Sequence, residues 1–204
     1  HATYFAAGLL KQRPGSGSGG GEGYYDTFRN RLMFPICDAI GQPIAFGGRQ
    51  IDPEDEPKYL NSPENPVFIK SRTLYGLHLA KRAIVDRRMA IVTEGYVDVI
   101  ACHQAGLRHA VATLGTALTA EHAAILKRLC ETVVLLFDGD AAGQRAADRA
   151  LEIFFAESID LKICVLPAEL DPDDFLKQEG GAEKLEALAL LSERLCNLLP
   201  DDLQ

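Results

Sequence analysis

The stretch LLFDGDAAGQRAADRAL, residues 135–151, sets Asp138 and Asp140 one glycine apart, between an apolar run and a helix-like segment. Further carboxylates follow other apolar runs: Glu94 closes MAIVTEG, and Asp171 and Asp173 belong to DPDD after LKICVLP. Carboxylates gathered at one place repel one another and favour protonation unless a cation neutralises them. Hard divalent ions suit such a set. Mg²⁺ takes one or two carboxylates, keeps several waters, and shares its remaining positions with substrate phosphates. With enough carboxylates, two ions about 4 Å apart can clamp an in-line phosphoryl displacement. D-x-D is short, and an alternative stays open on spacing alone, with Asp140 capping the next helix and Asp138 serving a turn. The joint placement of Glu94, Asp138, Asp140, Asp171 and Asp173 after apolar runs favours the metal.

The elements that must position these groups change rhythm along the chain. Residues 1–13, with ATYFAAGLLKQ, read as the end of a helix, and the Gly/Ser stretch at 14–23 reads as a flexible loop. RLMFPICDAIGQPIAFGGR alternates short apolar runs with turn residues, which predicts a β-hairpin about DAIGQ. IDPEDEPKYLNSPENP is rich in Pro, Asp and Asn and reads as a loop. SRTLYGLHLAKRAIVDR has helical periodicity, with Ser71 as its N-cap. From residue 89 four buried-type strands alternate with helices, and Thr119 is placed to cap the helix after the second strand. That alternation predicts right-handed crossovers and a mainly parallel sheet, whose ligands bind at the carboxyl ends of the strands.

Composition sets the bounds. The 204 residues are 47% hydrophobic and 25% charged, ordinary for a globular chain. No apolar run approaches the roughly 20 residues of a membrane span, and no signal peptide is visible. The five cysteines (Cys37, Cys102, Cys130, Cys164, Cys196) include no C-x-x-C pair, so they read as reduced core thiols, with neither a disulfide frame nor a zinc site. The net charge of -8 is unevenly spread. Residues 1–93 hold twelve Lys/Arg against nine Asp/Glu, a net of +3, and residues 94–204 hold nine against twenty, a net of -11. One part can meet phosphate while the other holds cations; two solubilised faces would give the same totals. No G-x-x-x-x-G-K-[ST] P-loop is present. The five histidines give no local support to a Ser/His/Asp or Cys/His site.

TEGYVDVIACHQAG, ATLGTALT, VVLLFDGDAAGQRAADRAL and DPDDFLKQEG together resemble the TOPRIM domain of primases, topoisomerases and some nucleases. With FRNRLMFPICDAIGQPIAFGGR and PKYLNSPENPVFIKSRTLYGL upstream, residues 24–181 resemble the RNA polymerase domain of bacterial replicative DNA primases of the DnaG type. The resemblance implies an α/β fold: a Rossmann-like TOPRIM domain, its mainly parallel sheet flanked by helices, at 88–180. A smaller α+β subdomain with a β-hairpin is expected before it, at 1–87, and a helical segment after it, at 181–204. It implies that Glu94 ligates metal or moves a proton, that Asp138 and Asp140 hold Mg²⁺ or Mn²⁺ as two or more ions, and that Asp171 and Asp173 support that site. It further implies that Arg49, Lys58, Asn61 and Lys70, with Asp98 beside the glutamate, line the nucleotide and template site. Gly47 and Gly48 are expected to let the backbone come close beside Arg49.

The implied partners are single-stranded DNA and ribonucleoside triphosphates. A guanosine alarmone could share the nucleotide site, and the replicative helicase would bind through a C-terminal domain. The family's zinc-binding domain, the start of its polymerase domain and its helicase-binding domain have no counterpart here, so the chain is expected to be a fragment, without zinc. The implied setting is the bacterial cytoplasm at the replication fork, with no membrane partner. Two rivals remain: another TOPRIM enzyme, which as a topoisomerase would need a tyrosine nucleophile, and a non-catalytic module that binds nucleic acid or a nucleotide. The filled acidic positions disfavour the second.

Overall fold

The computed structural model describes residues 4–5, 7–13, 23–137, 153, 159–166 and 170–191. The chain divides into two compact units, residues 1–69 and 70–204.

In the first unit a helical turn at Tyr4 and Phe5 stops at Gly8, whose φ is +70°. The Leu9 N–H donates to the Tyr4 carbonyl and the Gly8 N–H to the Phe5 carbonyl, each at 2.9 Å. This is a Schellman stop, which needs a residue that tolerates the left-handed region. The predicted helix through residue 13 is therefore cut short. Leu10–Gln12 forms strand β1 instead, antiparallel to β2, Tyr24–Asp26. The predicted hairpin is present as β3, Arg31–Cys37, and β4, Pro43–Gln50. Its turn is held by Asp38 Oδ1, which accepts from the Ile40 and Gln42 N–H groups at 3.0 and 2.9 Å. A third strand, β5, Tyr59–Asn61, completes an antiparallel sheet of order β3-β4-β5, inside a segment that reads as loop.

The second unit opens with a 3-10 turn, Lys70–Arg72. Helix α1 then runs Leu77–Arg87 from an N-cap at Gly76, with φ at 79°. Ser71 is therefore not the cap. The chain stays extended because Tyr75 bridges to Ala112, and it turns into the helix only at the left-handed glycine. There follow β6 (Met89–Thr93), α2 (Tyr96–Gln104), β7 (Ala110–Ala112), α3 (Ala120–Lys127), β8 (Thr132–Phe137), β9 (Asp160–Val165), α4 (Pro172–Leu176) and α5 (Gly181–Leu191). The sheet order is β7-β6-β8-β9, every pair parallel. Strand alternation splits the core in two. Ala90, Val92, Val133 and Leu135 pack with Leu77, Ala80 and Ile84 of α1 and Ala123 and Leu126 of α3. Met89, Ile91, Val134 and Leu136 pack with Cys102 of α2, Phe175 of α4 and Leu185 and Ala189 of α5. A sheet covered on both faces explains why its strands read as unbroken apolar runs. Compactness thus puts α1 with the parallel sheet, through Leu77, Ala80 and Ile84, and the divide at 69/70; the sequence-based boundary was drawn at 87/88.

Cys102 and Cys130 are buried and free, and burial pushes the Cys102 thiol up to about 12 and the Cys130 thiol up to about 11. They are packing residues with no thiolate character. His109 is fully buried, and neither ring nitrogen has a hydrogen-bond partner. Burial, with Arg87 nearby, pushes it down to about 4. Its pKa is lower folded than unfolded, so its neutral form supports the fold fully above the unfolded value near 6.5. That support is lost as pH falls from 6.5 toward the folded value of about 4. The expected loss across that window is about 3 kcal/mol, measured by urea unfolding at a series of pH values. His109→Phe should flatten this acid limb. An unchanged limb in the variant would mean that other groups set it.

Candidate metal and nucleotide site

Strand β6 is buried along its whole length and ends at Thr93; the next residue, Glu94, is exposed. Three contacts fix the turn that carries it. The Gly95 N–H donates to Asp98 Oδ2 at 3.1 Å, so the third residue of α2 caps the helix's own start. The buried Thr93 hydroxyl lies 3.4 Å from both the Gly95 and the Val111 carbonyls. Tyr96 is buried and meets Tyr75 edge to face, with centroids 5.0 Å apart. A carboxylate is thus presented to solvent from a base that cannot relax, beside a helix N-terminus that favours negative charge.

The topology says where that carboxylate stands. The chain leaves β6 toward β7 on one side and leaves β8 toward β9 on the other. Between β6 and β8 lies the switch point at which open α/β sheets form their crevice. Glu94 follows β6 directly, and β8 ends at Phe137, the residue before Asp138. Asp138 and Asp140 themselves lie outside the described residues. Asp171 is exposed and caps α4, its Oδ1 accepting from the Asp174 N–H at 2.8 Å. Asp173 Oδ2 pairs with Lys177 Nζ at 2.7 Å, a hydrogen bond that raises the Lys177 ammonium above its ordinary pKa. Among the described residues no three His, Cys, Asp or Glu side chains group closely enough to hold an ion, so Glu94, Asp171 and Asp173 alone do not make a cage. The donor set at the strand ends is oxygen only, which fits a hard cation and not zinc.

The basic residues fall in both units. In the first, Arg49 of β4 pairs directly with Tyr59 of β5, and Gly47 pairs with Asn61, so Arg49, Tyr59 and Asn61 share one face. The Arg49 guanidinium lies 5.7 Å from the Tyr59 ring centroid and Lys58 Nζ lies 5.9 Å from it. The structure therefore brings Arg49, Lys58 and Asn61 together about a tyrosine that sequence reasoning passed over, although KYLN names it. Gly48 also has a reason within the fold: a Cβ there would come within 2.9 Å of Phe28 and 3.2 Å of the Arg31 side chain.

In the second unit, Lys70 is held through its backbone. His122 Nδ1 accepts from the Thr119 N–H at 3.3 Å, so Nε2 carries the proton that it donates to the Lys70 carbonyl at 2.9 Å. Thr119 accepts from the His122 N–H, as a predicted cap should, and donates to the Ser71 carbonyl at 2.7 Å. Burial holds His122 below its ordinary pKa, which keeps this neutral tautomer in place. His122, a helical histidine with no motif around it, left no signal in the sequence for this role.

Residues 4–81 match the family model of the N-terminal domain of the DNA primase catalytic core, and residues 91–176 match the Toprim-like model. A DNA primase of Halalkalibacterium halodurans is 46% identical over 180 residues, which cover 88% of this chain and 29% of that protein. The chain thus spans less than a third of the length of that curated relative. A primase domain from Pseudomonas aeruginosa superposes with a TM-score of 0.85 at 41% identity, over 97% of this chain and 60% of that one. A DnaG primase catalytic domain bound to single-stranded DNA superposes with a TM-score of 0.85 at 40% identity, over 95% and 61%. The Toprim and primase matches imply dependence on a divalent ion. No helix among the described residues is long and apolar enough to cross a membrane.

The cap beside Glu94 can be tested apart from any ligand. Asp98→Ala should cost about 1 kcal/mol in urea unfolding, and Asp98→Asn, which keeps an acceptor, should recover most of it. Equal stability of all three chains would mean that Asp98 does not hold the turn.

Proposed function

The chain belongs to the bacterial DnaG-type DNA primases, and from that membership we propose that it supplies the nucleotidyl-transfer centre that joins ribonucleotides on a single-stranded DNA template. The observation that carries the reading is Glu94, fixed on a rigid turn at the end of β6, next to the strand that leads into Asp138-Gly-Asp140. The N-terminal match is to primase cores, which favours this reading over a topoisomerase, a nuclease or a non-catalytic module.

In the reaction, the 3'-hydroxyl of one ribonucleotide attacks the α-phosphorus of the next. An O–P bond forms, the bond to the leaving pyrophosphate breaks, and the hydroxyl proton goes to a base. Glu94, Asp138 and Asp140 are the residues that would hold Mg²⁺ or Mn²⁺, as two or more ions, with Asp171 and Asp173 supporting them. A bound ion supplies neutralisation of the triphosphate charge. Glu94 also stands ready to take the hydroxyl proton on its carboxylate. Arg49 grips phosphate bidentately, Lys58 and Lys70 as point charges, and Asn61 orients the nucleotide by hydrogen bonds. Asp98 acts by keeping the Glu94 turn closed. Catalysis of this kind is positioning and charge stabilisation.

The same reading assigns ribonucleoside triphosphates as substrates, a guanosine alarmone as a competitor for their site, the replicative helicase as a partner through a C-terminal domain, and the bacterial cytoplasm at the replication fork as the setting. Primer synthesis on single-stranded DNA, with Mg²⁺ or Mn²⁺ in the full-length protein, tests it. Asp138→Ala and Glu94→Gln should each lower the rate on the order of a hundredfold or more, with little change in melting temperature. Full activity in either variant would remove that residue from the reaction.

A further inference from the structure

The first turn of α3 and the turn at Lys70 are joined more closely than either needs for itself. The Lys70 carbonyl accepts from His122 Nε2 at 2.9 Å and from the Thr73 N–H at 3.3 Å. The next carbonyl, that of Ser71, accepts from the Thr119 hydroxyl at 2.7 Å. Two successive peptide planes are thus clamped by two side chains of one helix start. The far end of the segment is tied as well. Tyr75 and Ala112 exchange N–H to carbonyl bonds at 2.8 and 3.2 Å, and Ala112 stands opposite Thr93, the residue before Glu94, in the parallel sheet. The Lys70 turn and the Glu94 turn therefore hang from one frame, β7 and the residues that lead from it into α3. His122 is fully buried and Lys70 is half-buried.

We propose that His122 is a positioning residue for nucleotide binding: through the Lys70 carbonyl it fixes the stem from which the Lys70 ammonium meets the phosphates of a ribonucleoside triphosphate. The inference rests on the function proposed above, in which Lys70 grips phosphate. The helix start alone does not call for the second ring bond. A capping box needs only an acceptor on the third residue for the N-cap N–H, which a glutamate or glutamine supplies, and His122 Nδ1 is that acceptor for Thr119. Nε2 is left over for other use, and it goes to a carbonyl 52 residues away in sequence. A lysine ammonium is a point charge on a flexible stem, so its placement depends on how firmly its backbone is held. A neutral imidazole donates from one nitrogen and accepts on the other. It joins helix to turn without bringing a second cation beside the one it places, as an arginine or lysine donor would.

The test uses full-length protein and primer synthesis on single-stranded DNA with Mn²⁺, measured against ribonucleotide concentration. His122→Asn keeps an acceptor in the place of Nδ1 and has no atom that reaches the Lys70 carbonyl. It should raise KM about tenfold and leave kcat within about twofold, because a phosphate grip of this kind serves ground state and transition state alike. His122→Gln, which restores an amide donor, should recover most of the affinity. In a Lys70→Gln background His122→Asn should change KM no further. Independent effects of the two substitutions would overturn the inference, and so would a loss of kcat at unchanged KM. Thr119→Val removes the donor to Ser71 and leaves the ring. It should raise KM as well, again only where Lys70 is present, and it carries the test if His122→Asn does not fold. Binding of N-methylanthraniloyl-GTP with Mn²⁺ is titrated by fluorescence in the same variants. Absent synthesis in the unmodified protein would count against the proposed function, while the binding series still decides whether His122 acts through Lys70.

Discussion

Strand β6 is buried along its entire length, and this governs the second unit. A strand sealed on both faces cannot slip: a shift of one residue would exchange Ala90 and Val92 with Met89 and Ile91, and each pair fits a different set of helices. With β6 fixed, β7 and β8 are fixed on its two sides, and the crossovers that serve them must diverge. The switch point at the carboxyl ends of β6 and β8 follows from the sheet order, before any catalytic residue is considered. Glu94 is the first residue past the sealed strand, so core stability becomes precision at the strand end.

The same economy of local contacts runs through the smaller features. Asp98 uses its carboxylate to close the turn that presents Glu94. Thr119 and His122 cap α3 and at the same time hold the Lys70 turn. Arg49 and Lys58 meet at Tyr59, and Arg29 meets Tyr25, so two basic groupings of the first unit are each organised by a ring. Under the proposed function, the split in sequence charge, +3 over residues 1–93 and -11 beyond, corresponds to a division between groups that would meet phosphate directly and groups that would meet it through cations.

What the sequence made legible follows the strength of burial. The four strands of the parallel sheet were readable because each is an apolar run bounded by turn residues, and their order implied the carboxyl-end site. Glu94 was placed at a strand end that way, where the structure has it, and the primase resemblance implied roles for Arg49, Lys58, Asn61 and Lys70. Weakly buried elements were misread. Strand β1 looked helical because its apolar residues continue those of Tyr4 and Phe5; Gly8, the stop, was the available signal. Strand β5 is three residues long between prolines, too short for a period to show. Ser71 looked like a cap because sequence cannot reveal that Tyr75 is claimed by Ala112. Asp171 proved to be a cap, the role weighed for Asp140, because a carboxylate before Pro172 serves a helix start as readily as an ion.

The central claim is that the ends of β6 and β8 form one metal site. The direct measurement is Mn²⁺ binding, followed by electron paramagnetic resonance, in the unmodified protein and in Glu94→Gln, Asp138→Asn and Arg49→Gln. The account predicts Mn²⁺ affinity that falls at least about tenfold in each carboxylate variant, a loss of about 1.4 kcal/mol, and that holds in Arg49→Gln. Affinity retained in Glu94→Gln while Asp138→Asn loses it would show that the two strand ends do not share an ion, and would contradict the account.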